Sequence, residues 1–371
     1  MTAPGITGLP AVWSEDCLRH DPAGEVWLGV WEPGTEVPER ARVLLEALTQ
    51  AGASVTGARR HDPDALLAVH DDELVDHLAT IWAQWEAGGY ERDYGRRRVV
   101  PYVFPTPGLL GGLPLRSPAA THGRAGRFCY DTMTLVGPGS WEAIRAAADA
   151  ALTAADLVAA GQRVAYALCR PPGHHTTKSA YGGSCYLNNA AIAAAALRRA
   201  GAERVAVIDI DAHHGNGTQA IFYDRPDVYY GSLHVDPGAG WFPHYAGYAD
   251  ERGRGAGTGA NRNLPLAPGT SDDDWLAAVD MLVNEVRGRG TDVVVVSLGV
   301  DAAAADPESP LQVSPAGYRR AGELIGPLGP VVAVQEGGYD LPSLGGLVVA
   351  TLGGIVTGAR DAGAATASPW P

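Results

Sequence analysis

From Val164 onward the chain alternates short β-branched runs with alanine-rich helical runs, and nothing else in the sequence restricts the fold as much. VAYALC is followed by LNNAAIAAAALRRA, VAVIDID, DVYYGSL, DDWLAAVDMLVNEVRG, DVVVVSLG, PAGYRRAGELIG and VVAVQEGG. The strand candidates are apolar nearly throughout, the pattern of strands covered on both faces, where half-exposed strands alternate. Such alternation predicts right-handed β-α-β crossovers and an α/β fold, a central parallel sheet with helices on both faces. Helical periodicity also marks 39–51, 72–86 and 141–160. Between the last two lies a stretch rich in Gly, Pro and Arg, expected as a long loop insertion at about 87–139 within a single domain spanning 1–371. The terminal DAGAATASPWP is expected to fray.

Composition removes several functions. A net charge of -14 offers no basic face for a phosphate backbone, so nucleic acid is excluded as a partner. No apolar run is read here as approaching the ~20 residues that span a bilayer, and MTAPGITGLPAVW lacks a basic leader with an apolar stretch. The expectation is a cytoplasmic protein with no membrane partner. Cys17, Cys129, Cys169 and Cys185 are scattered with no C-x-x-C pair, which fits reduced thiols.

Polar clusters fall where the predicted strands end. VAYALC leads into RPPGHHTT with His174 and His175, and VAVIDI leads into DAHHGNG with Asp211 and His213. VVVVSLGV is followed by Asp301, and VVAVQEGG by Tyr339. In an open parallel sheet, loops at the carboxyl ends of strands converge on one crevice, so these clusters become neighbours. Asp211, His213 and Asp301 supply two carboxylates and an imidazole, a donor set suited to one divalent ion with positions left for water and substrate. A buried carboxylate needs such a charge, because apolar surroundings do not replace the water it loses. Asp209, two residues before Asp211, faces the same side of its strand. A lone strand-end Asp or His is usually a cap or a satisfied hydrogen-bond partner; four clusters at four strand ends are not explained that way.

RPPGHH, GGSCYLNNAA, IDIDAHHGNGT, SLGVDAAAADP and QEGGYD together resemble the arginase/deacetylase superfamily, specifically its zinc-dependent histone-deacetylase-like amidohydrolases. FPHYAGYADERGRGAGTGANRNLPL and YVFPTP look closest to the bacterial acetylpolyamine amidohydrolases. The resemblance implies a single-domain arginase/deacetylase-like fold and one Zn2+ per chain on Asp211, His213 and Asp301, with Fe2+ or Co2+ as substitutes. It implies His174 and His175 as tandem catalytic histidines, His175 being the general base that draws a proton from metal-activated water, and Tyr339 as the hydroxyl that polarises the acyl carbonyl. Asp209 would orient His174. Asn216 stands where many members have an Asp facing the second histidine, so His175 is expected to be less basic. The arginase branch would need carboxylates at Gly215 and Gly299 for a second ion, so a mononuclear site is expected. Monovalent cations, K+ or Na+, are implied at two places: around Asp209, Asp211, His213, Ser232 and Leu233, and along the backbone at Phe222, Arg225 and Val228.

The resemblance places Gly183, Ser184, Trp241 and Phe242 along a substrate tunnel, Ser184 replacing the usual aromatic residue. Glu308 occupies an acidic gatekeeper position that would attract a secondary ammonium. Against this, 94–130 contains six arginines and no Asp or Glu between its terminal tyrosines, which predicts a basic rim or arginines paired at a subunit interface. The expected function is hydrolysis of an N-acetyl or related N-acyl amide of a small amine, acetylpolyamine foremost, by a homo-oligomer, dimer or tetramer. The alternatives are a protein acetyl-lysine deacetylase and a non-catalytic acyl-binding protein on the same fold.

Overall fold

Among the described residues ten strands organise the fold: β1 Pro10–Trp13, β2 Glu25–Trp27, β3 Val30–Glu32, β4 Ser54–Gly57, β5 Val164–Ala167, β6 Val205–Asp209, β7 Val228–Val235, β8 Asn261–Leu266, β9 Val293–Leu298 and β10 Val331–Gln335. The computed structural model describes residues 5–95 and 97–362, so most of the expected frayed tail lies outside the described residues. Eight strands form one sheet in the order β4-β1-β5-β10-β9-β6-β7-β8, and every pairing within it is parallel.

The apolar character of the central strands has a direct cause. In β6, Val205 and Val207 enter one core while Ala206 and Ile208 enter the other, and in β9 Val293 and Val295 separate from Val294 and Val296 in the same way. Helices Asp72–Ala87, Ser140–Ala159 and Asn189–Arg199 cover the first face. Helices Glu39–Gln50, Asp272–Arg289, Pro315–Ile325 and Leu341–Asp361 cover the second. The periodic segments at 39–51, 72–86 and 141–160 are thus helices to within a residue.

The long stretch at 87–139 is less bare than expected. It holds short helices at Tyr90–Tyr94, Pro107–Leu110 and Thr121–Phe128. A second expectation is corrected at the C-terminal end, where Leu341–Asp361 forms a helix long and apolar enough to cross a membrane by length and composition, its apolar window averaging a hydropathy of 1.6. More than half of that window, 56%, is buried inside the protein, against helices Glu39–Gln50 and Pro315–Ile325. Its glycines hide the pattern in sequence. The four cysteines are free and buried.

Candidate active site

The strands that lead into the polar clusters, β5, β10, β9 and β6, are consecutive in the sheet. Their carboxyl-terminal loops therefore meet. One ligand atom from each of Asp211, His213 and Asp301 lies within 4.8 Å of the others. His213 Nδ1 is 3.0 Å from Asp301 Oδ2 and 3.3 Å from Asp211 Oδ1. Burial and the neighbouring Asp211 push the Asp301 carboxyl up to about 7. Burial also works against charge on His213, yet the two carboxylates raise its basicity well above the ordinary range, so a proton there answers the pocket's demand for positive charge. Two buried carboxylates around one imidazole, one of them pushed up beside the other, fit a divalent cation. The backbone leaves room for this crowding only with glycine: a Cβ at Gly299 would strike the Asp211 carboxylate, and one at Gly337 those of Asp301 and Asp211.

The tandem histidines lie beside this group with opposed environments. His174 Nδ1 is 3.1 Å from Asp209 Oδ2. Burial alone would lower its pKa, but Asp211 and Asp209 drive it up to about 10. His175 Nδ1 faces Asn216 Oδ1 at 2.8 Å, and Asn216 Nδ2 is turned to Tyr130 Oη and the His175 carbonyl. The asparagine oxygen thus accepts the Nδ1 proton, which leaves Nε2 as the basic nitrogen. Burial, then His174 and His213, hold His175 well below the usual histidine range.

The loop carrying Tyr339 is fixed by a residue the sequence reading did not single out. Arg40 Nε donates to the Gly338 carbonyl at 2.7 Å and Nη2 to the Glu336 carbonyl at 2.6 Å, and its guanidinium lies 4.6 Å from the Tyr339 ring centroid. Arg40 is held by Glu36, which also binds Arg170. His174, Cys185 and Glu336 also converge; there one Glu336 oxygen accepts the backbone N–H groups of Gly173 and His174.

Above the cluster opens a cavity of about 370 Å³ that His175, His213 and Tyr339 line together with Gly183, Ser184, Trp241, Phe242 and Glu308. All five tunnel residues expected from the sequence are in its wall. Phe242 stands edge-on to His175 at 4.8 Å, and Trp241 Nε1 donates to the Glu308 carbonyl. Missed were Glu25, Trp27 and Glu32, carried by the hairpin β2–β3, and Thr35, Met133 and His244. The sequence signal for the hairpin was present, since EVWLGVWE alternates around a Leu-Gly turn. Among the described residues the only non-glycine positive φ angles are at Ala23, Leu28, Ser184 and His244; Ser184 and His244 line this cavity, and Ala23 and Leu28 flank the strand Glu25–Trp27. Strain of that kind collects at functional sites.

The basic rim is corrected. Arg97 pairs with Glu91, Arg98 Nε donates to the Asp21 carbonyl, and Arg127 pairs with Glu73. Arg124 lines a separate small cavity. Arg96 lies outside the described residues, and none of the other five lines the catalytic cavity, whose charged rim is carboxylate.

Of the residues expected around monovalent cations, Asp209 and Ser232 are register partners on β6 and β7, Ser232 Oγ lying 2.7 Å from His234 Nδ1, and Leu233 follows on β7. Phe222, Arg225 and Val228 frame the turn into β7, with Arg225 N bonded to the Phe222 carbonyl.

A parallel sheet with this donor group at its carboxyl edge and a cavity opening above it forms a candidate metal site. Residues 34–355 match the family described as "Histone deacetylase domain", and the chain belongs to that family. It is 39% identical to the acetylpolyamine amidohydrolase of Mycoplana ramosa, over 94% of this chain and 99% of that protein. It is 42% identical to acetylpolyamine amidohydrolase 1 of Pseudomonas aeruginosa, with the same coverage. The crystal structure of acetylpolyamine aminohydrolase from Burkholderia pseudomallei superposes with a TM-score of 0.87 at 38% identity, over 95% of this chain and 99% of that one.

Proposed function

We propose that the protein is a zinc-dependent deacetylase of small N-acetylated amines, with acetylpolyamines as the leading substrates. One observation carries this reading: a single cavity is lined by His213, whose ring is grouped with Asp211 and Asp301, by His175 and Tyr339, and by the carboxylates Glu25, Glu32 and Glu308. The relatives named above support it, being called acetylpolyamine amidohydrolases. Asp211, His213 and Asp301 would hold the ion, and what it supplies when bound is Lewis acidity toward the acyl carbonyl and an attacking water. His175 Nε2 takes the proton of that water. The Tyr339 hydroxyl donates to the carbonyl oxygen as negative charge gathers there. His174, cationic beside Asp209, stabilises the same charge, and a histidine proton passes to the departing nitrogen, giving acetate and a free amine. The carboxylates at the mouth draw a distal ammonium and leave a neutral peptide backbone without a partner. A monovalent cation at Asp209, Ser232 and Leu233, and another at the Phe222–Val228 turn, belong to the same proposal.

Turnover of acetylputrescine, acetylspermidine and acetyl-lysine peptides by the purified enzyme tests the reading; faster peptide turnover rejects the small-amine assignment. Tyr339→Phe is expected to lower kcat by ~100-fold while metal content stays unchanged, as loss of one oxyanion donor does. Metal analysis beside steady-state rates checks this, and loss of zinc along with activity contradicts the role.

Half-buried Glu25 is pushed up to about 7 by burial and then by Glu308 and Asp131. Below that pH it is neutral and above it anionic, so KM for acetylputrescine should fall as pH rises through 7. In Glu25→Gln that fall should be flattened. KM measured from pH 6 to 8 at fixed ionic strength decides, and parallel profiles for the two proteins would count against Glu25.

A further inference from the structure

We propose that the mouth of the active site is forked and that its second branch takes an apolar arm, alkyl or aryl, on the amine half of the substrate. This rests on the amidohydrolase reading above. A cavity of about 550 Å³ adjoins the catalytic one, and the two share Trp27, Met133, Phe242 and His244 as a common wall. A chain leaving the tunnel between these side chains meets two directions. One leads to Glu25, Glu32 and Glu308. The other leads past Leu28, Phe104, Pro243 and Tyr245.

The second direction has little to offer an ammonium. Its one carboxylate, Asp131, is fully engaged: Oδ1 accepts the backbone N–H groups of Met133 and Thr134, and Oδ2 accepts Gly183 N and Thr134 Oγ1. Asn216 is committed to His175 and Tyr130, and Tyr130 Oη donates to the His175 carbonyl. Thr177 Oγ1 is bonded to Ala180. With these polar groups already satisfied, what remains to be gained here is removal of apolar surface from water.

The rim of the branch adds an independent observation. Leu28 is 84% and Tyr245 94% exposed, large apolar side chains held in solvent beside a concave apolar wall. Leu28 has φ +48 and Gly29 φ +83, the two-residue hairpin turn in which Asn or Asp normally precedes Gly. A leucine is strained there, and an Asn would relieve the strain while giving up the apolar contact.

The test compares N-acetylputrescine with N-acetyl-N′-benzoylputrescine, which keeps the spacer and exchanges the ammonium for a neutral aryl arm. The expected result is hydrolysis of both, with the kcat/KM ratio of aryl to ammonium substrate falling about tenfold in Phe104→Ala, the effect of burying one ring against an apolar wall. Tyr245→Ala, at a site too exposed to threaten folding, should move the ratio the same way, and Glu25→Gln should raise it. A ratio unmoved or raised in both Phe104→Ala and Tyr245→Ala overturns the branch, as does a parent enzyme that hydrolyses only the ammonium substrate. If neither compound is hydrolysed by the parent, the functional reading fails and takes the branch with it.

Discussion

Asp301→Asn is expected to yield a folded protein that retains no stoichiometric divalent metal and deacetylates slower by on the order of a thousandfold or more, because polarisation by the ion contributes several kcal/mol. Asp301 is fully buried, and its Oδ1 accepts the Ala212 N–H at 2.7 Å. An asparagine oxygen can accept the same bond, so the turn that presents His213 should survive. What disappears is one of the two charges that make the pocket favour a dication: Asp211 paired with a protonated His213 is already neutral. A second consequence separates loss of metal from loss of structure. In the metal-free parent, Asp301 and Asp211 crowd each other, burial and that proximity holding Asp301 up to about 7. The asparagine removes the repulsion, so at pH 8 the chelator-treated variant should melt at or above the chelator-treated parent. With zinc added, only the parent should gain stability, as a ligand that binds the native state alone requires. Metal analysis and thermal melts with and without zinc check both statements. A variant that binds one zinc and turns over at near-parental rate would remove Asp301 from the site.

The sheet and the cluster at its edge were legible in the sequence for the same reason. Val205–Asp209 and Val293–Leu298 feed two cores with alternate residues, so they must be apolar throughout, and the first polar residues after them stand out. That signal fails where a strand is short or at an edge. PAVW and SVTG are too brief to register, and NRNLPL carries Pro265, which only the free side of an edge strand such as β8 tolerates. The helix Leu341–Asp361 escaped notice through its glycines, which exist for close packing: a Cβ at Gly354 would strike the Arg319 carbonyl of the neighbouring helix. The acidic mouth was missed for a different reason. Glu25 and Glu32 come from a hairpin far upstream of any strand that carries the chemistry, and they reach the cavity through tertiary placement alone. The arginines between Tyr94 and Tyr130 misled because a charge count contains no direction; the backbone and nearby acids take up Arg97, Arg98 and Arg127.

His175→Ala is expected to lower kcat by about 10²–10⁴-fold with KM little changed and zinc fully retained, the range that loss of a positioned general base covers. The argument lies in the contrast between two rings whose centroids are 4.0 Å apart. His174, against Asp209 and Asp211, is pushed up to about 10; His175, with a neutral asparagine on Nδ1, is held low by burial and by its two histidine neighbours. Adjacent groups whose environments drive their pKa values apart divide acid and base work between them. At neutral pH one ring therefore carries a proton to give and the other has a nitrogen free to receive one. The His175 side chain is also packed for this role, with Phe242 edge-on to the ring and Gly183 beneath it, where any Cβ would collide with the imidazole. Alanine at this position leaves a hole of imidazole shape, so added imidazole should restore part of the lost rate to His175→Ala and none to Asp301→Asn. Full metal occupancy with activity within tenfold of the parent would show that some other group takes the proton.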